Sequence, residues 1–216
     1  MNLYDIEDLF SIFEFIIGVL CYHRMRSEYK MLFFNTMVSL SHLLIFRFLL
    51  EFMNPVSINL EWYSITLFYG SFQLMFLLIS KNAKNINRKI SFFIGVLIFG
   101  IIVEIICVGI DSYRISLVET FVDFYLMIIS INVLVEKMKN IHLENKVILY
   151  LLPAQIQLLI IVIIYNITLL FTFQHNSDIW GNVLGYTILI SSIINSIFTS
   201  IAYLWLHKKE RFLELS

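Results

Sequence analysis

Seven apolar segments alternate with short polar loops along this chain, and 13 of its 15 Lys and Arg residues fall in four of those loops. The four basic loops follow the first, third, fifth and seventh segments: Arg24, Arg26 and Lys30; Lys81, Lys84, Arg88 and Lys89; Lys137, Lys139 and Lys146; Lys208, Lys209 and Arg211. Short loops rich in Lys and Arg remain on the cytoplasmic side of a membrane. The alternation predicts seven membrane crossings, with the N-terminus outside and the C-terminus inside.

Composition favours the same class of protein. The chain has 216 residues, of which 59% are hydrophobic and 14% charged, whereas soluble domains are about 25% charged. A hydrocarbon core of about 30 Å requires roughly 20 residues of helix, and long, continuously apolar runs favour helices over a barrel. We expect one all-α domain over residues 1–216, with spans at about 9–22, 31–52, 62–80, 90–110, 116–135, 147–173 and 183–206.

Ionisable residues within these spans indicate a candidate site, because a charged group at bilayer depth is costly and normally faces a bundle interior or a cavity. The set comprises Glu14, His42, Arg47, Glu51, Glu104, Glu119 and Asp123. At a helix rise of about 1.5 Å per residue, Glu104, Glu119 and Asp123 lie roughly 5 to 10 Å below the outer ends of their segments. Most of the set is therefore predicted in the outer half of the bundle.

The strongest pair in this set is Glu119 and Asp123, which are four residues apart and so adjacent on a helix. Two neighbouring carboxylates repel each other unless a cation or a proton lies between them. One interpretation is structural, with Arg47 paired to an acid and the other acids protonated or hydrated. The other is an acidic pocket open to the outside, in which Glu104, Glu119, Asp123, Arg47, His42 and Glu51 bind a cationic or hydrogen-bonding ligand.

The seventh segment carries a small polar face, formed by Ser192, Asn195, Ser196 and Thr199 at three- and four-residue spacing. Small polar faces let membrane helices approach closely and hydrogen-bond. This face predicts either internal packing or a surface that transmits a signal or forms a homodimer.

Motifs for catalysis are missing from the sequence, which contains no HExxH, phosphate loop or GxSxG. His42 favours core packing over metal binding, since its neighbours Ser41 and Leu43 offer no second ligand. We therefore expect no enzyme activity, cofactor, metal or nucleic-acid partner. The partners predicted from the residues are the lipid bilayer, whose anionic headgroups suit the basic inner loops, and an extracellular ligand.

Three stretches resemble the N-terminal transmembrane sensor region of GHKL-class sensor histidine kinases of the accessory-gene-regulator receptor type. They are FGIIVEIICVGI, VILYLLPAQIQLLI and IINSIFTSIAYLWLHKKERFLELS. The resemblance implies a peptide-sensing module whose last helix, with an Asn at the place of Asn195, leads into a cytoplasmic signalling segment. The chain has no phosphoacceptor-histidine box and no ATP-binding domain, so kinase activity would require a domain outside these residues.

Three functions remain open from the sequence. The first is a receptor in a bacterial cell membrane that detects an extracellular ligand, such as a peptide, and signals through its last helix to a cytoplasmic partner. The second is a small transporter or channel for a cation or polar solute, with Glu104, Glu119 and Asp123 along its path. The third is a scaffold subunit of a membrane complex.

The predicted orientation can be tested by cysteine labelling. In a chain whose Cys21 and Cys107 are replaced by Ala, we expect a membrane-impermeant maleimide added to intact cells to modify Ser177→Cys and to spare Asn85→Cys. Labelling after membrane permeabilisation provides the control for reactivity. The opposite labelling pattern would refute the orientation.

Overall fold

The computed structural model describes residues 3–49, 55–81, 85–107, 117–139, 146–172 and 178–214. These residues form seven α-helices and a short 3-10 turn at Tyr22–Arg24, with no strand in the described part of the chain. The helices are α1 (Leu3–Cys21), α2 (Ser27–Leu49), α3 (Pro55–Ser80), α4 (Ile86–Cys107), α5 (Leu117–Lys139), α6 (Lys146–Thr172) and α7 (Asp178–Glu214). The prediction of an all-α fold is confirmed.

Five of these helices, α3 to α7, are long and apolar enough to cross a membrane. Much of their outer surface consists of large apolar side chains, and on α4 Phe92, Ile98, Ile102 and Ile106 are all exposed. A continuous apolar surface of this kind is unfavourable in water but is what lipid requires. The protein is therefore a helical integral membrane protein.

Six of the helices form a closed ring, and the remaining one, α4, packs against the outside of this ring. Around the ring, α1 packs on α2, α2 on α3, α3 on α5, α5 on α6, α6 on α7, and α7 back on α1. Helix α4 packs on α5 and to a lesser extent on α3. Its buried residues, Phe93, Leu97, Gly100 and Glu104, recur every three or four positions and so form one narrow stripe, as expected for a helix with a single contact face.

The largest differences between the helix bounds and the predicted spans occur at three places. Helix α1 begins at Leu3 rather than near residue 9, because the acidic residues Glu7 and Asp8 are favourable in its first two turns, near the positive end of the helix dipole. Helix α3 begins at Pro55, a position where the missing N–H has no helical partner to lose. Helix α7 has 37 residues and is about 55 Å long, so it extends well beyond residue 206.

Aromatic side chains fill one end of the ring between α1, α2 and α7, and we call it the inner end because the basic loops predict it to be inside. The Phe33 ring lies 5.8 Å from Phe15, 5.5 Å from Tyr22 and 6.5 Å from Tyr203 between centroids. We call these four residues the aromatic cluster. Gly18 lies against it, and a Cβ atom there would overlap the Phe33 ring. The close approach of α1 to α2 therefore depends on the absence of a side chain at this position.

We expect Gly18→Ala to lower the free energy of unfolding by about 1–3 kcal/mol, because the buried Phe33 ring must leave its position. The measurement is thermal unfolding of the purified protein in detergent. Gly95→Ala is the matched control, since no atom lies within 4 Å of a Cβ built there. Equal melting temperatures for the two variants would show that α1 and α2 do not pack in this way.

Candidate functional site

A polar cavity of about 110 Å³ lies inside the ring, between α1, α2, α3, α6 and α7. Its walls are Ser, Thr, Asn, Gln, Tyr and Glu side chains together with Leu32 and Leu158. We call it the central cavity. Polar groups inside membrane proteins are expected to face such interior space rather than lipid, so the cavity is the natural candidate for a functional site.

The central cavity lies near the middle of the helices that line it. Glu14 is seven residues from the inner end of α1, and Thr36 is nine residues from the inner end of α2. Gln155 is nine residues from the inner end of α6. At about 1.5 Å per residue these positions are roughly 10–14 Å from the inner helix ends, close to the midpoint of a 30 Å hydrocarbon layer.

The carboxyl group of Glu14 joins three helices at this depth. Its Oε1 atom accepts a hydrogen bond from Thr36 Oγ1 on α2, and the Ser196 hydroxyl on α7 also hydrogen-bonds it. Thr36 Oγ1 is in turn 3.4 Å from the Tyr203 hydroxyl on α7. Glu14 is 6% exposed. A single buried carboxyl therefore holds α1 against both of its neighbours in the ring.

Three carboxamides form a chain across the opposite side of the cavity. Asn35 Nδ2 on α2 donates to Gln73 Oε1 on α3 at 3.1 Å, and Gln73 Nε2 donates to Gln155 Oε1 on α6 at 2.8 Å. With its amide nitrogen used in this way, Asn35 presents an Oδ1 atom that has no partner, and Asn195 Oδ1 is also without one. Both asparagines line the cavity. The unpartnered carboxamide atoms there are thus acceptors.

Glu104 lies nearer the opposite end of the bundle, which we call the outer end, and both of its carboxyl oxygens accept hydrogen bonds from other helices. Its Oε1 atom accepts from the Tyr63 hydroxyl at 2.8 Å, and its Oε2 atom accepts from the Val118 backbone N–H at 2.9 Å. Val118 is in the first turn of α5, where backbone N–H groups have no partner within the helix. Glu104, which is buried, therefore ties α3, α4 and the start of α5 together.

Glu119 and Asp123 lie beside Glu104 and complete what we call the outer acidic cluster. Glu119 Oε2 accepts from Asn166 Nδ2 on α6 at 3.4 Å. Asp123 and Glu104 are its acidic neighbours. Tyr69, which lines the central cavity, has Asp123, Glu119 and Glu14 as its own acidic neighbours. This phenol connects the outer acidic cluster to the cavity.

The structure brings together two of the groups expected from the sequence. Glu104, Glu119 and Asp123 are neighbours, and the α7 face of Ser192, Asn195, Ser196 and Thr199 lines the central cavity. The side chains of His42 and Arg47, and Glu51 as a whole, lie outside the described residues. The pairing of Arg47 with an acid and its place in a ligand pocket therefore stay predictions.

Sequence reasoning did not assign a site role to Glu14, Thr36, Tyr69, Gln73 or Gln155. The available signal was their depth, because none of these five polar residues lies in the first or last turn of its predicted span. A search for ionisable residues alone favoured the outer half of the bundle and overlooked the uncharged residues, which are four of these five.

Comparison with known protein families, with curated proteins and with solved structures finds no match to this chain. Among the described residues, no three His, Cys, Asp or Glu side chains come together as ligands for a metal ion. The fold and the site therefore define the class: a helical integral membrane protein with a polar cavity enclosed by its bundle.

We expect Glu104→Gln to destabilise the protein by about 1–3 kcal/mol, because the new amide nitrogen cannot accept, and one of the two buried donors loses its partner. Thermal unfolding of the purified protein measures the effect. Glu136→Gln is the control, since Glu136 is 44% exposed and pairs with Lys81 at 3.2 Å, an interaction worth at most about 1 kcal/mol. If both changes had the same small effect, Glu104 would not hold the start of α5.

Proposed function

We propose that the protein is a transmembrane receptor module that detects an extracellular ligand, such as a peptide, and signals through α7 to a cytoplasmic output such as a histidine kinase. The observation that carries this proposal concerns α7. Its polar face lines the central cavity, and the same helix continues without interruption to Glu214. One rigid element thus connects the interior of the bundle with the region beyond the membrane.

In this proposal all seven helices cross a bacterial cell membrane, with the N-terminus outside and the C-terminus inside. The ring supports the proposal that α1 and α2 also cross the membrane, since both helices line the cavity together with α3, α6 and α7. Basic residues meet acidic or aromatic partners at one end of the bundle: Lys81 pairs with Glu136, Arg26 pairs with Glu28, and Lys30 lies 5.2 Å from the Tyr22 ring centre. Such a basic end is typical of the cytoplasmic side.

The route from ligand to output starts at the outer acidic cluster. A cationic or hydrogen-bonding group bound there would change the field at Tyr69, which also interacts with Glu14. Glu14 in turn hydrogen-bonds Ser196 on α7. A ligand that favours one arrangement of these bonds shifts the population of α7 positions, and small helix shifts are an established form of signalling in helical bundles.

The end of α7 is the proposed output. The helix is about 55 Å long, whereas the hydrocarbon core is about 30 Å thick. Its last turns carry Lys208, Lys209 and Arg211 and then Leu213 and Glu214, a composition suited to leaving the membrane and joining a cytoplasmic partner or a second copy of the chain. Rotation or translation of the rigid helix at the cavity would be carried directly to this partner.

The second candidate is a transporter for a cation or polar solute. Secondary transporters have their binding sites near the bilayer midplane, and the central cavity has a similar depth in this proposal. The packing below the cavity weighs against a continuous channel. The aromatic cluster, Phe76, Leu77 and Leu151 are all closely packed on the inner side, and the last three have at most 1% of their surface exposed. The scaffold hypothesis has no specific observation in its favour.

The receptor proposal predicts that Asn195→Leu shifts signalling output without unfolding the bundle. Asn195 lines the cavity and its Oδ1 atom has no hydrogen-bond partner in this packing, so a second packing in which it gains an interhelical hydrogen bond would be favoured by about 0.6–2 kcal/mol. The ratio of two packings should therefore change by roughly threefold to thirtyfold. In a fusion of the Asn195→Leu chain to a histidine-kinase core, we expect the level of phosphorylation to stay near its maximum or its minimum whether or not ligand is present. Phosphorylation is measured in membranes, and thermal unfolding is measured in parallel.

The matched control is Thr187→Leu, the same kind of change on the same helix. Thr187 is not among the cavity-lining residues, and its hydroxyl bonds the Val183 carbonyl of its own helix at 2.8 Å. We expect wild-type output from this fusion. The α7 route is wrong if both leucine variants give wild-type phosphorylation while remaining folded.

A further inference from the structure

We propose that the central cavity is a binding site for a monovalent metal cation of the Na⁺ type, with Glu14 as its charged ligand and the carboxamide oxygens of Asn35 and Asn195 as neutral ligands. The inference rests on the composition and size of the cavity and does not depend on the receptor function. It identifies a second ligand class for the protein, distinct from any extracellular ligand at the outer acidic cluster.

The charge in the cavity is the first argument. Glu14 is its one carboxyl group, and no Lys, Arg or His is among its described lining residues. A carboxylate in the membrane interior requires a proton or a cation beside it. One carboxylate balances one positive charge, whereas a divalent ion would leave a net charge of +1 in a medium of low dielectric constant. The cavity therefore favours a monovalent ion.

The unpartnered atoms are the second argument. Asn35, which is 6% exposed, and Asn195 both line the cavity, and the Oδ1 atom of each is buried without a hydrogen-bond partner. Buried acceptors of this kind are rare and call for a partner. Hard cations take oxygen ligands from carboxylates, amides and hydroxyls. The Thr199 hydroxyl donates to the backbone carbonyl of Asn195 at 2.9 Å. The lone pairs of the Thr199 hydroxyl oxygen therefore stay available for a cation.

Size is the third argument. The cavity volume is about 110 Å³, which is smaller than an engineered cavity of about 150 Å³ that holds one benzene molecule. The space therefore matches a small ion with a few waters and is too small for a peptide or a sugar. A cation held between Glu14, Asn35 and Asn195 would bridge α1, α2 and α7, so its binding should stabilise the closed ring.

The test is a salt titration of the purified full chain in lipid nanodiscs. NaCl or KCl replaces choline chloride at constant ionic strength while thermal unfolding is followed, and retention of ²²Na⁺ is measured in parallel. We expect a saturable rise in melting temperature of about 5 °C with an alkali cation and none with choline. A rise that is the same for all three salts, or dependence of stability on pH alone, would overturn the proposal.

Two variants locate the ion. Glu14→Gln should remove the saturable rise or weaken the apparent affinity at least tenfold, and Glu136→Gln, an acid outside the cavity, should leave it unchanged. Asn195→Ala removes an unpartnered buried acceptor, so it should raise the melting temperature in choline chloride and reduce the response to Na⁺. This second variant decides the matter if Glu14→Gln does not fold. A full response in both variants would place the ion elsewhere and refute the site.

Discussion

The hydrocarbon core of a membrane offers no hydrogen bonds, and this constraint arranges the polar side chains of the bundle. Where such residues face outward they bond to their own helix, as Asn132 Nδ2 does to the Ile128 carbonyl at 2.9 Å. Where they face inward they bond between helices, and Glu14 is the centre of that arrangement because it accepts from both Thr36 and Ser196. The ring of six helices depends on these inward bonds and on the close approach of α1 permitted by Gly18.

The two polar regions of the interior have different characters. In the outer acidic cluster Glu104 has both oxygens occupied by Tyr63 and Val118, which is the environment of a residue that holds helices in place. The central cavity instead retains acceptors without partners and has free volume. Tyr69 has carboxyl groups of both regions as neighbours, and it is the residue through which we propose that an event at the outer acids reaches the cavity and α7.

Much of the fold could be predicted from the sequence, because apolar segment length and loop charge are local properties. The number and class of helices and the proximity of Glu119 to Asp123 follow from spacing along one chain. The order of helices around the ring does not follow from this spacing. Helix α3 contacts α5 and leaves α4 outside the ring, and this contact depends on the packing of side chains from separate segments. For the same reason the contacts of Glu104 could not be predicted, since they include a backbone N–H of another helix, that of Val118.

The carboxamide chain from Asn35 through Gln73 to Gln155 runs in one direction, with each amide nitrogen donating to the next carbonyl oxygen. A carboxamide has a donor and an acceptor end of nearly identical shape. If all three groups turned together, every bond would be reformed in reverse, and the cavity would meet the amino end of Asn35 in place of its oxygen. The two orientations of the chain would therefore attract opposite charges into the same space.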